Sequence, residues 1–75
     1  MPEHTLTAIR DGFTRIATTD GVSLEDVAES TLDLTGSRPS RGAVLRALGH
    51  LERGGEARWD GLLWYPVDTD EARRA

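Results

Sequence analysis

The stretch that decides the fold runs from Ser37 to Pro66 and reads SRPSRGAVLRALGHLERGGEARWDGLLWYP. When residues 40–53 are placed on a helix, one side carries the apolar residues Val44, Ala47, Leu48 and Leu51. A Gly-Gly pair then ends the helical pattern. The Asp60-Gly61 pair that follows is typical of a two-residue β-hairpin turn. The sequence therefore predicts a helix followed directly by a tight hairpin.

The position of this turn predicts which hairpin residues face the core. With Asp60 and Gly61 at the turn, Trp59 pairs with Leu62. Alternate residues of a strand share a face. We therefore expect a core-facing set made of Ala57, Trp59, Leu62 and Trp64. The outward-facing set is then Glu56, Arg58, Leu63 and Tyr65.

Two further helices are predicted before this stretch. The first spans about residues 3–18, where apolar residues recur with helical spacing at Leu6, Ile9, Phe13 and Ile16. Val22 is expected to begin a short extended piece. Ser23 then caps a second helix, with Asp26 three residues later as its capping-box partner. The exposed side of that second helix is acidic and would repel DNA, so we expect it to support the fold.

The connection to the third helix leaves two alternatives open. The segment LDLTGSRPS is longer than the three or four residues usual in a helix-turn-helix. Either the second helix runs on to about Leu34, or an extra loop with Ser37 and Arg38 projects beside the third helix. Pro39 disfavours helical geometry at the residue before it. Ser40 is then the natural N-cap of the third helix.

The residues of the third helix follow a pattern that is familiar from one superfamily. They are Ser40, Arg41, Gly42, Ala43, Val44, Ala47, Leu48, Leu51, Glu52, Arg53 and Gly54. This pattern resembles the recognition helix of a winged helix-turn-helix domain. The resemblance implies an α+β, mainly α fold: three helices and a C-terminal two-stranded β-hairpin wing. We expect one such domain over residues 1–68, followed by a polar tail at residues 69–75.

Composition limits the function classes. The chain has 75 residues and no cysteine, which excludes a disulfide framework and a thiol nucleophile. It contains no P-loop, no dinucleotide glycine fingerprint and no histidine pair at zinc spacing. We therefore expect a non-enzyme without metal or cofactor. It carries no signal peptide or membrane span, so a cytoplasmic location is expected. Because all nine basic residues are arginine, the chain has the composition of a GC-rich bacterial or phage gene.

Charge is distributed unevenly along the chain. The formal net charge is −4, which opposes binding to any polyanion regardless of sequence. Residues 1–35 carry two arginines against seven acids, a net −5, whereas residues 36–60 carry five arginines against three acids, a net +2. Arg73 and Arg74 in the tail add weak, salt-sensitive attraction. Positive charge is therefore concentrated on the third helix and the hairpin.

The resemblance to a winged helix-turn-helix domain implies a small sequence-specific protein that binds double-stranded DNA, a transcriptional regulator that would associate with the nucleoid, and this charge distribution agrees with it. The outward side of the third helix would enter the major groove. Arg46 is the best candidate for a bidentate contact to guanine, and Arg41 is the second. We expect the DNA backbone to be contacted by Ser37, Arg38, Ser40 and Arg58.

A winged-helix module that binds another protein is the alternative function. It rests on the negative net charge, on the acidic second helix and on apolar residues expected at the surface. These possible partner residues are Leu45, Leu63 and Tyr65. A homodimer or a protein partner would then use the first helix or the outer face of the hairpin.

Overall fold

The computed structural model describes residues 2–67, which form three helices and one two-stranded antiparallel sheet. The elements in chain order are α1 (Glu3–Ile16), α2 (Leu24–Thr35), α3 (Arg41–Arg53), β1 (Ala57–Trp59) and β2 (Trp64–Pro66). This confirms the predicted α+β fold with a winged-helix layout. The predicted tail at residues 69–75, with Arg73 and Arg74, lies outside the described residues.

The starts of α2 and α3 are capped as predicted. Ser23 and Asp26 form a reciprocal capping box, in which each side chain accepts a hydrogen bond from the backbone N–H of the other, at 3.1 and 3.3 Å. The hydroxyl of Ser40 accepts a hydrogen bond from the N–H of Ala43 at 3.1 Å. Such caps satisfy N–H groups that have no partner inside the helix.

The connection between α2 and α3 combines the two alternatives left open by the sequence. Helix α2 continues past Leu34 and ends at Thr35, where Gly36 adopts a left-handed conformation with φ 78°. Residues 36–40 then form a loop that leads into α3. The positive φ explains the glycine, since other residues are strained in that conformation.

The core lies between the three helices and the inner side of the sheet. Its fully buried residues are Ile9, Val27, Val44, Ala47, Leu48 and Leu51, joined by Phe13, Val22, Ala28, Ala57 and Trp64. The predicted inner side of α3 is therefore confirmed. Helices α1 and α2 cross closely at Gly12, whose carbonyl accepts a hydrogen bond from the buried hydroxyl of Ser30 at 2.8 Å.

A third extended segment completes the sheet, as predicted for Val22. The backbones of Val22 and Trp64 exchange two hydrogen bonds of 2.8 Å as an isolated antiparallel bridge. Trp64 also pairs with Trp59 on its other side. The spatial order is therefore Val22, β2, β1, and this order holds the hairpin against the start of α2.

The predicted hairpin register is wrong. Trp59 pairs with Trp64 and Arg58 with Tyr65, so four residues separate the strands where two were expected. A two-residue type I′ turn needs positive φ at both turn residues. Only Gly61 has one, at 103°, and Asp60 does not. Instead, the Asp60 carboxylate accepts hydrogen bonds from the N–H groups of residues 62 and 63, both at 2.8 Å, and organises a wider turn.

The predicted core face of the hairpin is consequently only half right. Ala57 and Trp64 are buried, but Trp59 is 41% exposed and Leu62, at the apex of the turn, is 82% exposed. Trp59 lies with its ring centroid 5.0 Å from that of Trp64 and forms an outer layer over it. The wider turn moves Leu62 out of the strand, which explains its exposure.

Candidate nucleic-acid interface

The outward side of α3 carries the most accessible positive charge. The described residues include seven arginines, and four of these form ion pairs: Arg10, Arg15, Arg38 and Arg41. Within residues 2–67, Arg46, Arg53 and Arg58 have no carboxylate partner. Arg46 and Arg53 share the side of α3 opposite the core. Two guanidinium groups are thus available on one helix face.

Two glycines leave this face open. Gly42 and Gly49 are seven residues apart and lie on the same side of α3 as Arg46. A methyl group added at Gly42 would meet nothing within 4 Å, and one at Gly49 would meet only a guanidinium nitrogen of Arg53, at 3.9 Å. A nucleic-acid backbone or another helix can therefore approach the α3 backbone closely.

Arg38 and Arg41 are bound to α2 by carboxylates. One oxygen of Glu25 lies 3.0 Å from Arg41 Nη1 and the other lies 3.0 Å from Arg38 Nη2. Arg38 also forms a short ion pair with Glu29. We call these four residues the α2–α3 ion cluster. The acids of α2 were expected to repel DNA, although the spacing of Glu25 and Glu29 by one helical turn was a signal that they share a face.

The two candidate serines differ in what they offer. Ser40 uses its oxygen to accept the α3 capping bond and keeps its hydroxyl proton as a donor. Ser37 sits in an exposed loop tied to Thr35, whose hydroxyl contacts both the carbonyl oxygen and the N–H of Ser37 at 3.1 and 3.3 Å. Both serines lie beside the α2–α3 ion cluster in the chain, where phosphate contacts were expected.

On the hairpin, Arg58 stacks over the ring of Tyr65, with Cζ 5.4 Å from the ring centroid. The hydroxyl of Tyr65 in turn donates a hydrogen bond to Asp60 at 2.7 Å. The N–H of Leu63, the Tyr65 hydroxyl and the N–H of Leu62 lower the pKa of Asp60. The bond to Asp60 raises the pKa of Tyr65. The wing thus carries one guanidinium group and one carboxylate, each in contact with Tyr65.

The expected partner residues are only partly at the surface. Leu45 is 52% exposed on the flank of α3. Leu63 and Tyr65 are half-buried and pack against Gly21, where a methyl group would lie 2.9 Å from atoms of both side chains. The apolar side chains that do project are Leu62 and Trp59, which the wrong register had assigned to the core.

The remaining ion pairs brace the scaffold. Arg10 Nε lies 3.3 Å from Glu56, which joins α1 to the segment before β1. Arg15 lies 3.8 Å from Asp33 and joins α1 to the end of α2. None of the helices within residues 2–67 is long and apolar enough to span a membrane. The same residues contain no group of three or more side chains that could hold a metal ion.

Comparison with known proteins finds no match, so the class of this protein is argued from its fold. No protein-family model, no curated protein and no solved structure matches this chain. The layout of three helices and an antiparallel hairpin, with Val22 as the third sheet segment, is consistent with the winged-helix layout predicted from the sequence.

Proposed function

We propose that this chain is a small sequence-specific protein that binds double-stranded DNA, regulates transcription and reads the major groove with α3. The observation that carries the proposal is the open outer side of α3. There, Arg46 and Arg53 project without a carboxylate partner among residues 2–67, and Gly42 and Gly49 leave the helix backbone between them open to close approach. In this proposal the protein lies in the cytoplasm and binds the DNA of a bacterial nucleoid or of a phage.

Each candidate residue has a role in this proposal. Arg46 makes the bidentate contact to O6 and N7 of a guanine, and Arg41, at the start of α3, makes a second base contact. The backbone phosphates are bound by Ser37, Arg38, Ser40 and Arg58.

The charge of the molecule decides what kind of DNA binding is expected. With a net charge of −4, general attraction to phosphates is weak, so binding depends on a few well-placed contacts. A protein of this kind discriminates between sequences mainly through its base contacts. Loss of one such contact is therefore expected to be visible both in affinity and in the preferred sequence.

The test is a selection of bound duplexes from a random pool at roughly 100 mM salt, where weak backbone attraction is strongly screened. Wild type should enrich a motif, and Arg46→Ala should lose preference at one G·C pair, with a cost of about 1–3 kcal/mol. Arg15→Ala is the matched control, because it removes the same charge from α1. An unchanged motif with Arg46→Ala would exclude this base contact, and the absence of any motif for wild type would reject the function.

A protein-interaction module is the second candidate, and exposed apolar side chains favour it. Leu45, Trp59 and Leu62 are each at least 41% exposed in a domain this small. Trp59 and Leu62 lie three residues apart on the hairpin, and neighbouring exposed apolar groups are typical of protein-binding surfaces. If the module binds a second copy of itself, sedimentation should show a concentration-dependent dimer that Leu45→Ser or Leu62→Ser weakens. A monomer at all concentrations would reject self-association.

A further inference from the structure

The α2–α3 ion cluster joins the first turns of two helices through a single carboxylate. Glu25 lies in the first turn of α2 and Arg41 is the first residue of α3. Arg38 lies in the loop between the helices. Each Glu25 oxygen serves a different guanidinium group, at 3.0 Å in both cases. Glu25 therefore sets the orientation of two arginines at once.

The arginines retain most of their hydrogen-bonding capacity in this arrangement. A guanidinium group has five N–H donors in a rigid plane. Arg41 directs one Nη1–H to Glu25, which leaves its Nε and Nη2 edge for a bidentate acceptor. Arg38 directs one donor to Glu25 and one to Glu29. Both side chains can therefore hold their carboxylates and contact a further group.

We propose that Glu25 is a positioning residue for DNA recognition: its carboxylate holds Arg41 toward a base and Arg38 toward a phosphate before DNA arrives. The proposal rests on the proposed DNA-binding function. Residues at the start of a recognition helix are the ones that reach base edges. An arginine that is already held loses less conformational freedom when it binds. The oriented side chain therefore binds more tightly to a base that lies where it points, which increases the preference for that base.

The same carboxylate repels the DNA backbone, so two opposite effects are expected when it is removed. Glu25→Gln keeps the size of the side chain but removes its charge. Attraction to DNA of any sequence should then increase, by about two- to fivefold at 50 mM salt. An arginine contact of this kind typically discriminates between base pairs by about 5–150-fold, and at the position contacted by Arg41 this ratio should fall by about threefold or more.

Two matched variants separate positioning from charge. Asp33→Asn removes the same charge from the far end of α2, where the carboxylate contacts Arg15. Glu29→Gln removes a carboxylate that contacts Arg38 only. Both should increase general affinity, and both should leave the preference at the Arg41 position unchanged. If all three variants increased affinity and kept the wild-type motif, Glu25 would act only through its charge and the inference would be wrong.

A double-mutant cycle with Arg41→Ala gives the decisive readout. If Glu25 positions Arg41, Glu25→Gln should have no further effect on base preference in the Arg41→Ala background. An equal effect in both backgrounds would overturn the inference. Circular dichroism and thermal unfolding establish that each variant is folded, as expected for side chains that are more than half exposed at Glu25 and Arg41. Lack of any wild-type motif would instead reject the proposed function itself, so the two failures are distinguishable.

Discussion

Replacing Gly12 with alanine is expected to destabilise the protein, although alanine favours helices. A Cβ atom at Gly12 would lie 2.3 Å from the hydroxyl oxygen of Thr31 and 3.0 Å from its backbone nitrogen. The hydroxyl cannot simply turn away, because it donates a buried hydrogen bond to the carbonyl of Val27. Helix α1 must therefore move away from α2, which also stretches the bond between Ser30 and the Gly12 carbonyl.

The size of this effect follows from three contributions. Overpacking costs about 1–3 kcal/mol and a weakened hydrogen bond about 0.5–1.5 kcal/mol, while better helix propensity returns about 1 kcal/mol. The free energy of unfolding should therefore decrease by about 0.5–3.5 kcal/mol. In a domain of this size, each kcal/mol lowers the melting temperature by about 4–8 °C.

The same substitution at Gly49 is the matched control. Gly49 lies inside α3, and an added methyl group meets only an arginine nitrogen at 3.9 Å. Gly49→Ala should therefore raise the free energy of unfolding by up to about 1 kcal/mol. Urea unfolding followed by circular dichroism measures both variants. The reasoning about the α1–α2 contact is refuted if Gly12→Ala is as stable as wild type or more stable.

Three further predictions test the hairpin. The pKa of Asp60 is lowered in the fold, so its carboxylate stabilises the protein above about pH 4, and this stabilisation is lost as the pH falls through the lowered pKa. The pKa of Tyr65 is raised in the fold, so its hydroxyl stabilises the protein below about pH 10, and this stabilisation is lost as the pH rises through the raised pKa. Asp60→Asn should return the absorbance titration of Tyr65, the single tyrosine, toward its ordinary pKa, and no change would contradict this bond. Leu62→Ser should change the free energy of unfolding by less than about 0.5 kcal/mol, because Leu62 is exposed. Trp64→Ala should lower it by about 3–5 kcal/mol, because Trp64 is buried. A comparable loss with Leu62→Ser would show that Leu62 packs in the fold.

The helices were predictable because local signals agree with the fold. Apolar spacing gave the buried side of α3, and Ser23 and Ser40 cap the helices where the sequence places them. Such signals act within a few residues of the chain. The resemblance of residues 40–55 to a recognition helix then supplied the order of elements that the structure shows.

The hairpin register was not predictable from the turn dipeptide alone. An Asp-Gly pair suits a two-residue turn, but the Asp60 side chain can also accept from N–H groups two and three residues ahead. Tyr65 adds a third hydrogen bond to the same carboxylate and favours the wider turn. The choice of turn therefore depends on the side chain of Tyr65 on the opposite strand, which is not part of the Asp-Gly dipeptide.

The α2–α3 ion cluster shows why net charge alone is a poor guide to the function of this chain. Glu25 and Glu29 were counted against DNA binding, yet their carboxylates are compensated by Arg38 and Arg41 within the fold. Other acids are likewise compensated on the scaffold side by Arg10 and Arg15. Within residues 2–67, Arg46, Arg53 and Arg58 form no ion pair, and the first two lie together on the open side of α3. A molecule with a net charge of −4 can therefore present a locally positive helix, and specific contacts rather than general attraction must account for its binding.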